Sequence, residues 1–249
     1  MIYFLGDVHG NFDHILPVLQ ADDPKDGHPK TVIFLGDIEA QRPFEDEIVP
    51  LLAAGIEVWF IHGNHDTDNR QNWTHLLPYW RRNLHGHVVT IEGLRIAGLG
   101  GVFRGEVWYP PEDPGHVSYA ALEKSEESRP QVKAQRNERA LKHSSTIFPD
   151  VFDDLAHQRA DILVTHEAPS CHPHGFEVID LLAQKMGVQT LFHGHQHDSL
   201  NYRAWDTRLG FKAYGVGFCG IMDMNGGYLL TGDFDEARRY RQTHPETAQ

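Results

Sequence analysis

The chain of 249 residues has only two cysteines, no long apolar run and few basic residues, and each scarcity removes a class of protein. Two thiols, Cys171 and Cys219, cannot build the disulfide framework of a small secreted fold, and they lack the paired spacing of a zinc knuckle. No stretch approaches the ~20 consecutive apolar residues that span a bilayer. The amino terminus runs from Met1 through Ile2-Tyr3-Phe4-Leu5 to Gly6, with no basic n-region and no room for a signal h-region. A cytoplasmic protein with reduced thiols and no membrane partner is expected. Lys and Arg number 22 against 35 Asp and Glu, a formal charge of -13. Gripping a nucleic-acid backbone needs a basic surface, so nucleic acid is not the expected partner. An acidic protein that handles phosphate needs a local positive centre, and bound metal ions supply one.

Histidine is what the chain has in plenty, at 18 residues. It is the commonest metal ligand, so the count raises the expectation of a metal site without locating it. Hydrophobic residues at 40% and charged residues at 23% are a globular balance, and the length suits a single domain over 1–249.

Five short apolar runs read as strands buried on both faces: Ile2 to Leu5, Val32 to Leu35, Val58 to Ile61, Ile162 to Thr165 and Thr190 to Phe192. Between them, Phe12, Ile15, Leu16 and Leu19 have helical spacing, with Asn11 as N-cap and Pro17 shortening or kinking the helix. Ile179, Leu182, Ala183 and Met186 repeat the pattern, and Gly187 is placed to stop it. Strand, helix, strand is the grammar of a layered α/β fold. From about 103 to 149 the regularity breaks into a turn-rich loop around Trp108-Tyr109-Pro110-Pro111 and then a polar helical segment, read as an insertion covering one edge of the site. After His197, strands around Phe211 to Val216 and Tyr228 to Thr231, with a Gly226-Gly227 hairpin turn, point to a second sheet, and the tail from about Glu236 reads as loosely held.

The chemistry lies in the residues just beyond each run. Leu5 leads into Gly6-Asp7-Val8-His9-Gly10, Leu35 into Gly36-Asp37, and Ile61 into His62-Gly63-Asn64-His65-Asp66. Thr165 leads into His166, and Phe192 into His193-Gly194-His195-Gln196-His197. Ligands of open α/β sheets bind at the carboxyl ends of the strands, so these loops are expected to converge. Asp7, His9, Asp37, Asn64, His166, His195 and His197 offer carboxylate, amide and imidazole donors without thiolate, which suits Mn, Fe or Zn. Seven ligands exceed the needs of one tetrahedral ion and fit two ions sharing a carboxylate.

In order and spacing the series resembles the signature of the calcineurin-like metallophosphoesterases: Asp-x-His, Gly-Asp, Gly-Asn-His-Asp, His, then Gly-His-x-His, spread over Asp7 to His197. The resemblance implies a four-layer α/β/β/α sandwich, with one metal on Asp7, His9, Asp37 and His197 and a second on Asp37, Asn64, His166 and His195. It implies that His65, with Asp66 beside it in the motif, is catalytic and serves the leaving alkoxide, while a metal-bridging hydroxide attacks phosphorus in line. The expected substrate is a small phosphorylated molecule, a phosphomonoester or phosphodiester.

The departures bear on substrate. In phosphoprotein phosphatases the bridging Asp is followed by an Asp that partners the catalytic histidine and then by a phosphate-binding Arg. Here those positions hold Ala40 and Gln41, with Arg42 one residue further on as a substitute phosphate ligand. Serine/threonine protein phosphatase activity is therefore the lesser branch. The Gly6 to Gly10 opening also resembles dinucleoside tetraphosphatases, which keeps a nucleotide-directed hydrolase, on dinucleoside polyphosphates or cyclic nucleotides, as an alternative. A non-catalytic scaffold is disfavoured because scaffolds tend to lose ligands that this chain keeps. Arg104, with Trp108 and Tyr109, either lines the pocket mouth as a substrate contact or packs the insertion down. His62 and His193 read as packing residues, Cys171-His172-Pro173-His174 as a solvent-facing loop, and Lys133, Arg136, Arg139 and Lys142 as a solvated face. Oligomeric state is left open.

Overall fold

A computed structural model describes residues 1–22, 31–127 and 133–235, excepting the side chains of 126, 127 and 133–136. The tail from Glu236 and the side chains of Lys133 and Arg136 lie outside the described residues. Among the described residues ten strands form: β1 (Ile2–Leu5), β2 (Thr31–Leu35), β3 (Glu57–Ile61), β4 (Val88–Ile91), β5 (Leu94–Leu99), β6 (Ile162–Thr165), β7 (Thr190–His193), β8 (Lys212–Gly215), β9 (Ile221–Asp223) and β10 (Tyr228–Leu230). The helices are α1 (Ile15–Ala21), α2 (Phe44–Glu47), α3 (Val49–Ala53), α4 (Arg70–Leu76), α5 (Tyr119–Glu127), α6 (Lys133–His143), α7 (Pro149–Ala156), α8 (Glu177–Met186) and α9 (Asp206–Leu209).

Two mixed five-stranded sheets result, one in the order β10-β9-β1-β2-β3 and the other β4-β5-β6-β7-β8. Strands β1 to β3 are mutually parallel, as are β5 to β8, while β4, β9 and β10 pair antiparallel at the margins. The side-chain period of two explains the layers. Ile2 and Phe4 of β1 point between the sheets to meet Ile162, Val164 and Phe192, whereas Tyr3 and Leu5 point outward to Ile15, Leu19, Phe44 and Leu51. On the far side, Leu163 and Leu191 face Phe152, Leu155, Ile179 and Leu182 of α7 and α8. The Phe4 and Phe192 rings stack across the inter-sheet core with centroids 3.7 Å apart. Full burial of each such ring stabilises the fold by about 1.5–3 kcal/mol. This is the four-layer α/β/β/α sandwich.

All five apolar runs are strands, but they divide between the sheets: β1, β2 and β3 in one, β6 and β7 in the other. The strands after His197 do not make a sheet of their own. β8 extends the second sheet, while β9 and β10 return to the first beside β1, joined by the expected turn in which Gly226 takes a φ of 82°. Helix α8 ends as expected, with Gly187 left-handed at φ 72°. Helix α1 starts later than its apolar spacing suggests. Its N-cap position is His14 rather than Asn11, whose backbone instead closes a turn onto Val8, and Pro17 falls in the first turn, where its missing N–H costs nothing. No described helix is long and apolar enough to cross a membrane.

The stretch 103–149 leaves after β5 and returns to α7. Its base is fixed by a bridge between Val102 and Thr146, and Glu106 pairs with Arg139 at 3.5 Å and Lys142 at 3.1 Å. Trp108 packs edge-on against Phe103 and Phe152 and Tyr109 against Phe176, so both rings hold the segment down.

Candidate active site

Parallel strands aim successive carboxyl ends the same way, and the loops from both sheets meet at one place. An added Cβ on Gly36, after β2, would collide with the ring of His166 after β6, and one on Gly63, after β3, would collide with Asp37. Only glycine permits loops to pass that closely, and at Gly36 a φ of 103° requires it as well.

Single ligand atoms of His9, Asp37 and His197 lie within 4.8 Å of one another, and so do those of Asp37, His166 and His195. Asp37 belongs to both groups. Its Oδ1 accepts the His65 backbone N–H at 2.8 Å, and its Oδ2 stands 3.3 Å from His166 Nε2 and 4.0 Å from His9 Nε2. Asp7 lies beside both groups, 3.7 Å from His166 Nδ1 and 3.8 Å from His197 Nε2. Asn64 Oδ1 is 3.1 Å from His166 Nε2. All seven sequence-predicted ligands are thus brought together.

Hydrogen bonds behind the cluster turn the imidazoles. His166 Nδ1–H donates to the Leu35 carbonyl at 2.8 Å, and His9 Nδ1 meets Glu39 at 2.8 Å, which turns each Nε2 inward. His9 Nε2 and His197 Nε2 face each other at 3.1 Å. Both oxygens of Asp7 and Oδ2 of Asp37 are buried without a hydrogen-bond partner. Burial pushes the Asp7 carboxyl up to about 8, with neighbouring Asp37 adding to the rise. Burial opposes ionisation of Asp37 too, but the His166 imidazole beside it holds that carboxyl below the ordinary range. Carboxylate oxygens stranded in this way are costly unless a cation lies among them, so the donor set fits divalent metal. The backbone shows the same cost: His9, Asp37, His195 and His197 have φ between 43° and 67°. Such non-glycine conformations cost about 1–3 kcal/mol each and persist where the surroundings impose them.

His65 stands at the edge with its side chain 41% exposed, and its Nδ1 is 2.6 Å from Asp68 Oδ2. Partial burial lowers its pKa, but the Asp37 and Asp68 carboxylates outweigh that and raise it above the usual histidine value. Asp66, paired with His65 in the sequence reading, faces elsewhere. It is fully buried and accepts three backbone N–H groups, from Ile38 at 2.9 Å, Glu39 at 2.8 Å and Gly63 at 2.8 Å. It ties the Asp37 loop to the Asn64 loop. Arg42 is turned to the surface, 62% exposed, and holds Glu47 at 2.9 Å. Arg104 is half-buried, its guanidinium hydrogen-bonded to Ser145 and Thr146, and burial lowers its pKa, with Asp68, Glu167, Glu106 and Asp37 opposing that only in part. Cys171-His172 is not a solvent-facing pair: Cys171 joins the outer core and His172 is buried 3.4 Å from Asp198, leaving only Pro173 and His174 exposed. His62 and His193 pack, the first against Trp80 and the second on Tyr202.

Three groups escaped the sequence reading. Asp68 supplies the histidine partner that Ala40 does not, and the i,i+3 spacing from His65 was the available signal. Glu39 orients His9. Glu167, buried next to His166, accepts the Phe103 N–H at 3.1 Å and has its carboxyl raised to about 7 by burial.

The chain matches the calcineurin-like phosphoesterase family over residues 1–199. An uncharacterized protein of Haemophilus influenzae is 44% identical over 232 residues, covering 92% of this chain and 96% of that protein. Among solved structures, TT1561 of Thermus thermophilus shares 14% identity at a TM-score of 0.49, covering 90% of this chain and 94% of its own. The phosphopantetheinyl hydrolase PptH of Mycobacterium tuberculosis shares 18% at 0.43, covering 87% and 89%. Likeness of that degree says nothing about substrate. The family match and its ligand series together show that the chain belongs to the calcineurin-like phosphoesterases and is a metal-dependent hydrolase of phosphoester bonds.

Proposed function

We propose that the protein hydrolyses a small phosphate ester at a centre of two divalent ions, one on Asp7, His9, Asp37 and His197, the other on Asp37, Asn64, His166 and His195. The observation that carries this reading is the presence of Asp37 in both ligand groups, beside carboxylate oxygens that no protein donor satisfies. When bound, the cations supply Lewis acidity that lowers the pKa of a water and offsets charge on the phosphoryl oxygens. The oxygen and nitrogen donor set suits Mn, Fe or Zn.

The protein's own groups complete the chemistry. His65, kept protonated by Asp68 at Nδ1, presents Nε2–H to the departing alkoxide oxygen and gives it a proton. Asp66 acts through the backbone, holding the loops of Asp37 and Asn64 in register. Arg104, at the root of the 103–149 insertion, brings positive charge to the rim, and the insertion closes that edge of a single domain. Arg42, engaged with Glu47, has no part in this assignment.

The test is hydrolysis of monoester and diester chromogenic substrates by metal-loaded protein, beside His65→Ala. The variant is expected to keep its metals and lose about 10²–10⁴ in kcat. Equal turnover by the two proteins removes His65 from the mechanism.

A further inference from the structure

Two phenylalanines lie on the metal-ligand side of the site, and the phosphoryl chemistry has no use for them. Phe218 stacks on His9 with centroids 5.2 Å apart and planes 25° apart, and it meets His197 edge-on at 5.3 Å. Phe234 lies nearly parallel to the His197 ring, 5.8 Å away with planes 13° apart, and touches Phe218 at 5.2 Å. Phe234 nevertheless remains 52% exposed. The sheet thus returns through β9 and β10 to place an apolar ring at the mouth of the ligand cluster with much of its surface open.

The groups around His65 have another character. Asp68 is 58% exposed and Glu39 25% exposed, and Arg104 stands close enough to Asp68 and Glu167 to feel their charge. The metal ligands fix where a phosphoryl group sits, and His65 fixes the side on which its ester oxygen departs. His65 lies 5.3 Å from His9, whose ring carries Phe218. The organic group on that oxygen therefore passes over these charged groups or along the phenylalanines. The charged groups offer an apolar ring nothing, whereas a flat conjugated ring stacks on the phenylalanines.

We propose that Phe218 and Phe234 form a stacking shelf for the organic part of the substrate, and that the preferred esters carry a planar conjugated ring close to phosphorus, as a nucleoside or an aryl group does. The proposal rests on the two-metal reading for the position of phosphorus. Phe234 is a binding residue here, and its role is to select the leaving portion.

Binding is measured by calorimetry on Mn-loaded protein with benzylphosphonate and cyclohexylmethylphosphonate, which match in length and differ in planarity. Wild type is expected to favour the benzyl compound by about threefold to tenfold in Kd. Phe234→Ala and Phe234→Leu should both bring the ratio to about one, with metal content and the circular-dichroism spectrum as in wild type. The leucine variant separates ring stacking from apolar bulk. Equal binding of the two phosphonates, binding of neither, or a preference that survives in both variants overturns the shelf. Sedimentation is run alongside, and a wild-type dimer that dissociates in Phe234→Ala would assign the ring to self-association and overturn it also. Turnover of adenosine 5′-monophosphate against ribose 5-phosphate, and of benzyl against cyclohexylmethyl phosphate, distinguishes nucleobase from aryl recognition at matched leaving groups. Planar selectivity in binding without hydrolysis of any ester would remove the proposed function and leave the shelf standing.

Discussion

Asp66 offers the sharpest test of how this site is held. Its carboxylate receives three backbone N–H groups, two on Oδ1 from Ile38 and Glu39 and one on Oδ2 from Gly63. Those donors flank Asp37 on one loop and Asn64 on the next. Asp66→Ala strands all three in a region without solvent access. At about 1–2 kcal/mol for each unsatisfied buried donor, the loss is about 3–6 kcal/mol, a large part of the 5–15 kcal/mol typical of a domain. Asp66→Asn keeps an oxygen for one side of the contact and sets an amide N–H₂ against a donor on the other. Its loss should be about 1–3 kcal/mol. Urea denaturation in EDTA, followed by tryptophan fluorescence and by circular dichroism, removes metal binding from the comparison. With a slope of about 2–3 kcal/mol per molar, the alanine midpoint should fall by about 1–3 M and the asparagine midpoint by about a third to a half as much. If Asp66→Ala is as stable as wild type, or if the two variants coincide, the three-donor tie is not what holds the loops.

Asp37→Asn should reduce bound metal below one ion per chain by mass spectrometry, because it serves both ligand groups, whereas His197→Ala should leave about one; two ions retained in Asp37→Asn would refute the shared carboxylate. Asp68→Asn should lower kcat by about 10- to 100-fold with little change in KM, the worth of one charged hydrogen bond, while metal content stays constant; an unchanged kcat would show that Asp68 does not support His65. Burial pushes His193 down to about 4 from an ordinary 6.5, and it pushes His62 well below that value. At these two positions the unfolded chain takes up protons that the folded chain refuses, a contribution that lowers metal-free stability as pH drops from about 6.5 towards 4, while the raised Asp7 and Glu167 carboxyls act in the opposite sense. Each such histidine contributes a slope of up to about 1.4 kcal/mol per pH unit, read as the difference between wild type and His193→Gln in EDTA. Parallel profiles of the two proteins across that window would contradict the assignment.

The candidate ligands were legible because each lies within five residues after a hydrophobic run. A run such as Val32 to Leu35 announces a buried strand by composition alone, and Gly36-Asp37 directly after it carries the chemistry in a local pattern. The stop of α8 at Gly187 is equally local. The sequence by itself therefore settled the five central strands and the family that the chain resembles, and it named the candidate ligands that the fold brings together.

The tertiary structure decided what depends on segments distant in the chain. Allocation of β6 and β7 to a second sheet, and the return of β9 and β10 beside β1, are matters of pairing that periodicity does not encode. Only folding shows that Asp66 is sealed among backbone donors while Asp68, two residues on, reaches His65, or that Arg42 turns away to Glu47. Phe234 lies 37 positions after His197 and gains meaning only where their rings meet. Local free energies specify which residues form an element and where it stops, whereas the direction in which an exposed or half-buried side chain points is set by whichever partner the packed layers bring within reach.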